Sequence, residues 1–129
     1  MAKELPSLGD LELQVLRVVW QEQPCTERAV WEQILAERDV GRTTVLKTIQ
    51  RLEAKKLLAR QGGRGPVQYR AAVTESRVLP AVVRRFVQGT LAGSLEPLVN
   101  YLADSDKLSA KDLAALRAIA RKMAADETT

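Results

Sequence analysis

The residues that most constrain this chain are Gly62-Gly63-Arg64-Gly65-Pro66, because they interrupt two short strand-like runs directly after a helical period. The runs are Leu57-Leu58-Ala59-Arg60-Gln61 and Val67-Gln68-Tyr69-Arg70. Glycine tolerates the positive φ angles that a hairpin tip requires, and Pro66 restricts the start of the returning strand. Upstream, Val45, Ile49 and Leu52 recur at i, i+4 and i+7. That spacing predicts a helix from about Arg42 to Lys56 with one face turned inward.

Two further helices precede it. Asp10 to Gln21 places Leu11 or Leu13, Val15, Leu16, Val19 and Trp20 on one face, with Gly9 as N-cap and Asp10 and Glu12 favourably set against the helix dipole. Gln23-Pro24 ends it. Thr26 caps a second helix to about Arg38, in which Ala29, Val30, Ile34 and Leu35 recur at helical spacing and Trp31 packs at the margin. Asp39-Val40-Gly41 is then a short turn or a single-strand bridge. Three helices followed by a glycine-tipped hairpin outline a winged helix-turn-helix.

Beyond residue 72 the pattern is helical throughout. Glu75 to Gln88 carries Val78, Leu79, Val82, Val83, Phe86 and Val87, with Thr74 as cap and Pro80 placed to kink the helix or delay its start. Gly89 and Gly93 punctuate, and Ser94 caps a helix to about Ala103. Ser109-Ala110-Lys111-Asp112 resembles a capping box, opening a helix with Leu113, Leu116, Ala120 and Met123 along one stripe. Asp126–Thr129 reads as a frayed tail. The expected fold class is mainly α with a small β-hairpin wing: a winged-helix domain over residues 1–72 and a helical dimerisation domain over 73–129.

Charge is unevenly distributed. The formal net charge is +4, yet residues 41–70 hold eight basic side chains against Glu53 alone. Residues 1–40 carry four basic and eight acidic side chains. Positive charge concentrated in this way suits a phosphate backbone, although a solvated basic face has the same composition. The chain has one cysteine, Cys25, and no histidine, so an internal disulfide, an imidazole base and the usual nitrogen and sulfur metal sites are all ruled out. Cys25 is either a small residue before a helix or a redox-sensitive thiol. No apolar run approaches bilayer length, and Met1-Ala2-Lys3-Glu4-Leu5-Pro6 opens without an apolar signal segment. A cytoplasmic, non-enzymatic protein without cofactor, metal or direct membrane binding is expected.

A helix of this length fits the major groove of double-stranded DNA, with its N-terminal residues nearest the base edges. Arg42, Thr43 and Thr44 occupy that end, with Lys47 and Thr48 one turn on. Arg51, later in the helix, is assigned to phosphate. Thr43 could equally serve only as a helix cap. In the hairpin, Arg64 lies between glycines and Arg60 and Arg70 flank the tip, while Tyr69 reads as a core aromatic. Val82, Phe86, Leu113, Leu116, Ala120 and Met123 present more apolar surface than so short an extension can bury. They belong either to a homodimer interface or to a face folded back on the first domain.

Leu8-Gly9-Asp10-Leu11-Glu12, Val19-Trp20, Thr43-Thr44-Val45, Arg51-Leu52, Leu57-Leu58, Val67-Gln68-Tyr69, Phe86 and Gly93-Ser94-Leu95-Glu96-Pro97-Leu98-Val99, running on through Leu108-Ser109, resemble the penicillinase repressor family of BlaI and MecI. The resemblance covers nearly the whole chain through ordered spacing rather than any single motif. It implies a winged helix, a helical dimerisation domain, and repression of antibiotic-response genes by operator occupancy. It also implies relief by a membrane-bound sensor metalloprotease that cuts after an Asn and before an aromatic residue, a pattern matched here by Asn100-Tyr101, which could equally be an exposed Asn beside a core Tyr. The chain departs from the family in three places. Gly9 stands where a Thr or Ser cap is usual, and Lys47 stands where Thr is frequent, which points to a different preferred operator. Met123 to Thr129 lacks the cysteine-rich hook of the copper-responsive relatives. A winged helix answering another signal, or one that binds protein instead of DNA, remains open from these residues alone.

Overall fold

A computed structural model describes residues 6–105 and 108–127, arranged as two compact units that divide between Leu79 and Pro80. In the first unit, helices α1 (Asp10–Glu22), α2 (Glu27–Leu35) and α3 (Arg42–Ala54) pack mutually around Val15, Leu16, Val19, Val30, Ile34, Val45, Ile49 and Leu52. Each of these side chains is almost wholly removed from water. At about 1.5–3 kcal/mol per fully buried aliphatic side chain, this cluster dominates the stability of the unit.

A three-stranded antiparallel sheet closes the cluster. Strands β1 (Cys25–Thr26), β2 (Leu58–Gln61) and β3 (Gln68–Ala71) lie in the order β1-β3-β2, with Cys25 opposite Tyr69 and Arg60 also opposite Tyr69. Of the short turn or single-strand bridge expected at Asp39-Val40-Gly41, the bridge is not formed; the third strand is Cys25–Thr26. Thr26 serves as both strand end and N-cap of α2, its Oγ1 accepting from the Ala29 N–H at 3.1 Å. The segment from Asp39 instead docks through its carbonyl, Val40 O accepting from Trp31 Nε1 at 2.9 Å.

Several ends differ from the pattern-based limits. Helix α2 stops at Leu35, which is 41% exposed instead of facing the core. Helix α3 stops at Ala54: Lys56 adopts a left-handed φ of 62°, and the Leu57 and Lys56 N–H groups bond back to Leu52 O and Glu53 O. The first unit also runs past residue 72, because Val73 packs on its core and Trp20 Nε1 donates to Val73 O at 3.0 Å.

The second unit contains the end of α4 (Glu75–Arg85), a π-helical turn over Phe86–Thr90, α5 (Glu96–Asp104) and α6 (Ala110–Glu127). Pro80 sits inside α4 and neither delays its start nor ends it. The single long helix expected to Gln88 becomes an α-helix followed by the π turn, which closes through Ala92 and Gly93, both left-handed. Ser109 Oγ accepts from the Asp112 N–H and caps α6. Ser94, expected to cap α5, lies one residue too early: Leu95 is the N-cap and makes no side-chain cap bond, and Ser94 Oγ accepts only from the Glu96 N–H at 3.3 Å. Helix α6 continues to Glu127, past the start of the expected tail; Thr128 and Thr129, like Met1–Leu5, lie outside the described residues. No helix among the described residues is long and apolar enough to cross a membrane.

Candidate nucleic-acid interface

Helix α3 is two-sided. Val45, Thr48, Ile49 and Leu52 are buried, whereas Arg42, Thr43, Thr44, Lys47, Gln50, Arg51 and Ala54 are exposed. At about 100° per residue, Thr43, Thr44, Lys47, Gln50, Arg51 and Ala54 fall within about 60° either side of Lys47. Six residues therefore form one outward arc. Thr48, expected to reach DNA, is 1% exposed, and its Oγ1 donates to Thr44 O at 2.8 Å. It belongs to the core side, and its hydroxyl is already used. Residue type alone passes over Gln50, which is neither cationic nor a hydroxyl, yet the helical period that carries Lys47 outward carries Gln50 with it.

The cations divide by partner. Arg42 is held by Glu27 on α2, its Nε 3.0 Å from both carboxylate oxygens and its Nη2 2.9 Å from Oε2. Lys55 Nζ lies 2.6 Å from Glu12 Oε2 and 3.0 Å from Ser7 O, while Glu12 Oε1 accepts from the Gly9 N–H at the start of α1. Arg60 Nε pairs with Glu53 Oε2 at 2.8 Å, its guanidinium carbon 6.0 Å from the Tyr69 ring centroid. These hydrogen bonds, then the carboxylate charges, raise the pKa of Arg42 and Arg60. Burial, then Glu53, raises that of Tyr69. Lys47, Arg51, Lys56, Arg64 and Arg70 make no such pair among the described residues, leaving five cations unneutralised between residues 41 and 70.

In the wing, residues 62–67 are all exposed, with Gly63 and Gly65 at φ of 150° and 93°, the positive values that made glycine necessary. Arg64 stands at this tip. Arg60 and Arg70 do not share a face: Arg60 is opposite buried Tyr69, and Arg70 is opposite Ala59 on the other side of the hairpin. The start of α3 and the return of the wing converge. Arg42 lines a groove of about 390 Å³ together with Thr26, Glu27, Arg28, Pro66, Val67 and Tyr69.

The residues expected to dimerise are split by the second unit. Leu113, Leu116, Ala120 and Met123 pack inside the chain on Val87, Leu95 and Val99, as do Leu91 and Leu98. Val82 is half-buried. The apolar side chains left open are Val83, Phe86, Tyr101 and Ile119, exposed by 56%, 42%, 64% and 49%. Asn100 and Tyr101 both stand exposed within α5, so Tyr101 is no core aromatic. Cys25 is a buried core residue whose pKa is raised by burial and then by Glu22, which makes its thiol less reactive than a free one.

The family model described as penicillinase repressor matches residues 8–122. The chain is 24% identical over 115 residues to the methicillin resistance regulatory protein MecI of Mammaliicoccus sciuri, covering 89% of this chain and 94% of that one. It is 46% identical over 59 residues to the transcriptional regulator BlaI of Mycobacterium tuberculosis, covering 45% of this chain and 42% of that one. Two solved structures are similar in fold. The monomeric form of Bacillus licheniformis BlaI, in complex with the blaP half-operator, has a TM-score of 0.51 at 23% identity, covering 58% of this chain and 92% of that one. A single-site mutant of ZitR from Lactococcus lactis has a TM-score of 0.51 at 14% identity, covering 100% of this chain and 81% of that one. The first unit is thus a winged helix.

Proposed function

The chain belongs to the penicillinase repressor family, and from that premise we propose that it is a sequence-specific, cytoplasmic repressor that occupies a palindromic operator in double-stranded DNA as a homodimer. The observation that carries this reading is the outward arc of α3. Thr43, Thr44, Lys47 and Arg51 stand together on the side away from Val45, Ile49 and Leu52, and the wing returns beside the helix start. Hydroxyls and cations on a groove-sized helix can meet base edges and phosphates, while Arg64 at the wing tip reaches the flanking backbone.

A dimer is supported by Val83, Phe86, Tyr101 and Ile119, which a second copy would cover. It would also place two reading heads on one side of the duplex. The regulated genes are antibiotic-response genes of the β-lactam type, relieved when a membrane-bound sensor metalloprotease cuts Asn100–Tyr101. Exposure of both residues supports access, and their position inside α5 means that cleavage requires local unwinding of that helix. Incubation with the activated sensor then yields a fragment ending at Asn100; an intact chain removes this route of relief.

The decisive experiment is a gel shift on a fragment of the chain's own promoter at graded salt. Two heads using two to five unpaired cations each give a log–log slope of about −4 to −9. A protein-binding winged helix gives no salt-sensitive shift, and that result would end the DNA reading.

A further inference from the structure

We propose that Gln50 is a base-reading residue that selects adenine in each operator half-site, an inference that rests on the DNA-binding reading above. Gln50 is exposed on the arc, about 60° from Lys47 and about 20° from Thr43 in projection down the axis. Among the described residues its amide has no hydrogen-bond partner in the chain. The one acid within a turn of it, Glu53, is occupied by Arg60 at 2.8 Å. Ala54, one turn further on, is also exposed and ends at Cβ.

The chemistry is specific. A carboxamide offers one donor and one acceptor in a plane, matching the N6 donor and N7 acceptor of adenine in the major groove. None of Thr43, Thr44, Lys47 or Arg51 can make that pair, since hydroxyls give single contacts and the cations only donate. Position sets register. Seven residues separate Thr43 from Gln50, a rise of about 10 Å along the helix. Gln50 therefore reads a different base from the one beneath Thr43, extending the readout beyond the helix start.

Selection of operators from a randomised duplex library, with wild type, Gln50→Ala and Gln50→Glu, tests this directly. The wild-type profile contains a symmetric pair of adenines, one per half-site, that Gln50→Ala loses by about 5- to 150-fold in discrimination. Gln50→Glu moves the preference at that position to cytosine, whose N4 amine donates to a carboxylate. The salt slope stays unchanged in Gln50→Ala, because no phosphate contact is removed. A profile that keeps its adenine in Gln50→Ala, with wild-type binding intact, overturns the assignment to Gln50. Absence of any salt-sensitive selection by wild type overturns the DNA reading instead. Circular dichroism and thermal unfolding confirm that each variant is folded.

Discussion

Lys47 and Thr48 are neighbours in sequence and about 100° apart around α3, so one is exposed and the other almost wholly buried. Residue type alone pairs them as candidate DNA contacts; azimuth separates them. Replacing Thr48 by Val, nearly the same shape, removes only the hydroxyl that donates to Thr44 O. Operator affinity is expected to change by less than about threefold, with the sequence profile intact, while stability shifts by about 1 kcal/mol. A change in base preference in that variant would return Thr48 to the interface. Arg64 is the opposite case, exposed at the wing tip without a partner among the described residues. Arg64→Ala should weaken binding on most sequences alike and lower the magnitude of the salt slope by about 0.9, read from binding isotherms at several salt concentrations.

Titration also belongs to single residues. With no histidine, no side chain of ordinary pKa changes charge between pH 6 and 8. Operator affinity at fixed salt should be flat across that range. Cys25 is protonated more firmly in the folded chain, since burial and then Glu22 raise its pKa. The sign follows by linkage: stability is fully present below the thiol's unfolded value of about 8.5 and is lost as pH rises through the higher folded value. Denaturant unfolding at pH 7 and pH 10 should show that loss in wild type and a smaller one in Cys25→Ala, measured against each protein's own pH 7 stability.

At the scale of elements, the interiors of α1 and α3 and both wing strands are legible because burial imposes a period that side-chain types record. Their ends are less so. Helix α3 closes at Ala54 through a reversal in which Lys56 takes the left-handed φ of 62° that glycine normally supplies. With no glycine there to mark the stop, periodicity overruns it. Strand β1 escapes a sequence reading for another reason: two residues, Cys25 and Thr26, are too few to show alternation, and Thr26 also carries a helix-cap signal. The reversal at Lys56 makes its own prediction. Lys56→Gly relieves a left-handed side chain at an exposed position and should raise stability by about 0.5–1 kcal/mol after the entropy cost of glycine. A lower melting temperature in that variant would mean that the Lys56 side chain contributes more than its backbone costs.

For the whole molecule, the proposed homodimer raises the question of which apolar residues would hold a second copy. Sequence periodicity finds the stripe Leu113, Leu116, Ala120 and Met123 on α6, but it does not say what the stripe faces. The structure turns it onto Val87, Leu95 and Val99 of the same chain and leaves Val83, Phe86, Tyr101 and Ile119 uncovered. Two substitutions therefore separate fold from assembly. Leu116→Asp places a carboxylate against the intrachain cluster and should cost several kcal/mol, with loss of helical signal from the second unit. Phe86→Asp changes a side chain 42% exposed, so it should leave that helicity in place while driving the dimer to monomer in sedimentation equilibrium. The monomer retains a complete reading head but loses the gain from two heads on one duplex, so it should need a much higher concentration to fill a palindrome and show about half the salt slope. If Phe86→Asp stays dimeric and binds like wild type, the copies meet elsewhere; if both variants unfold alike, the exposed and packed faces are a single structural unit.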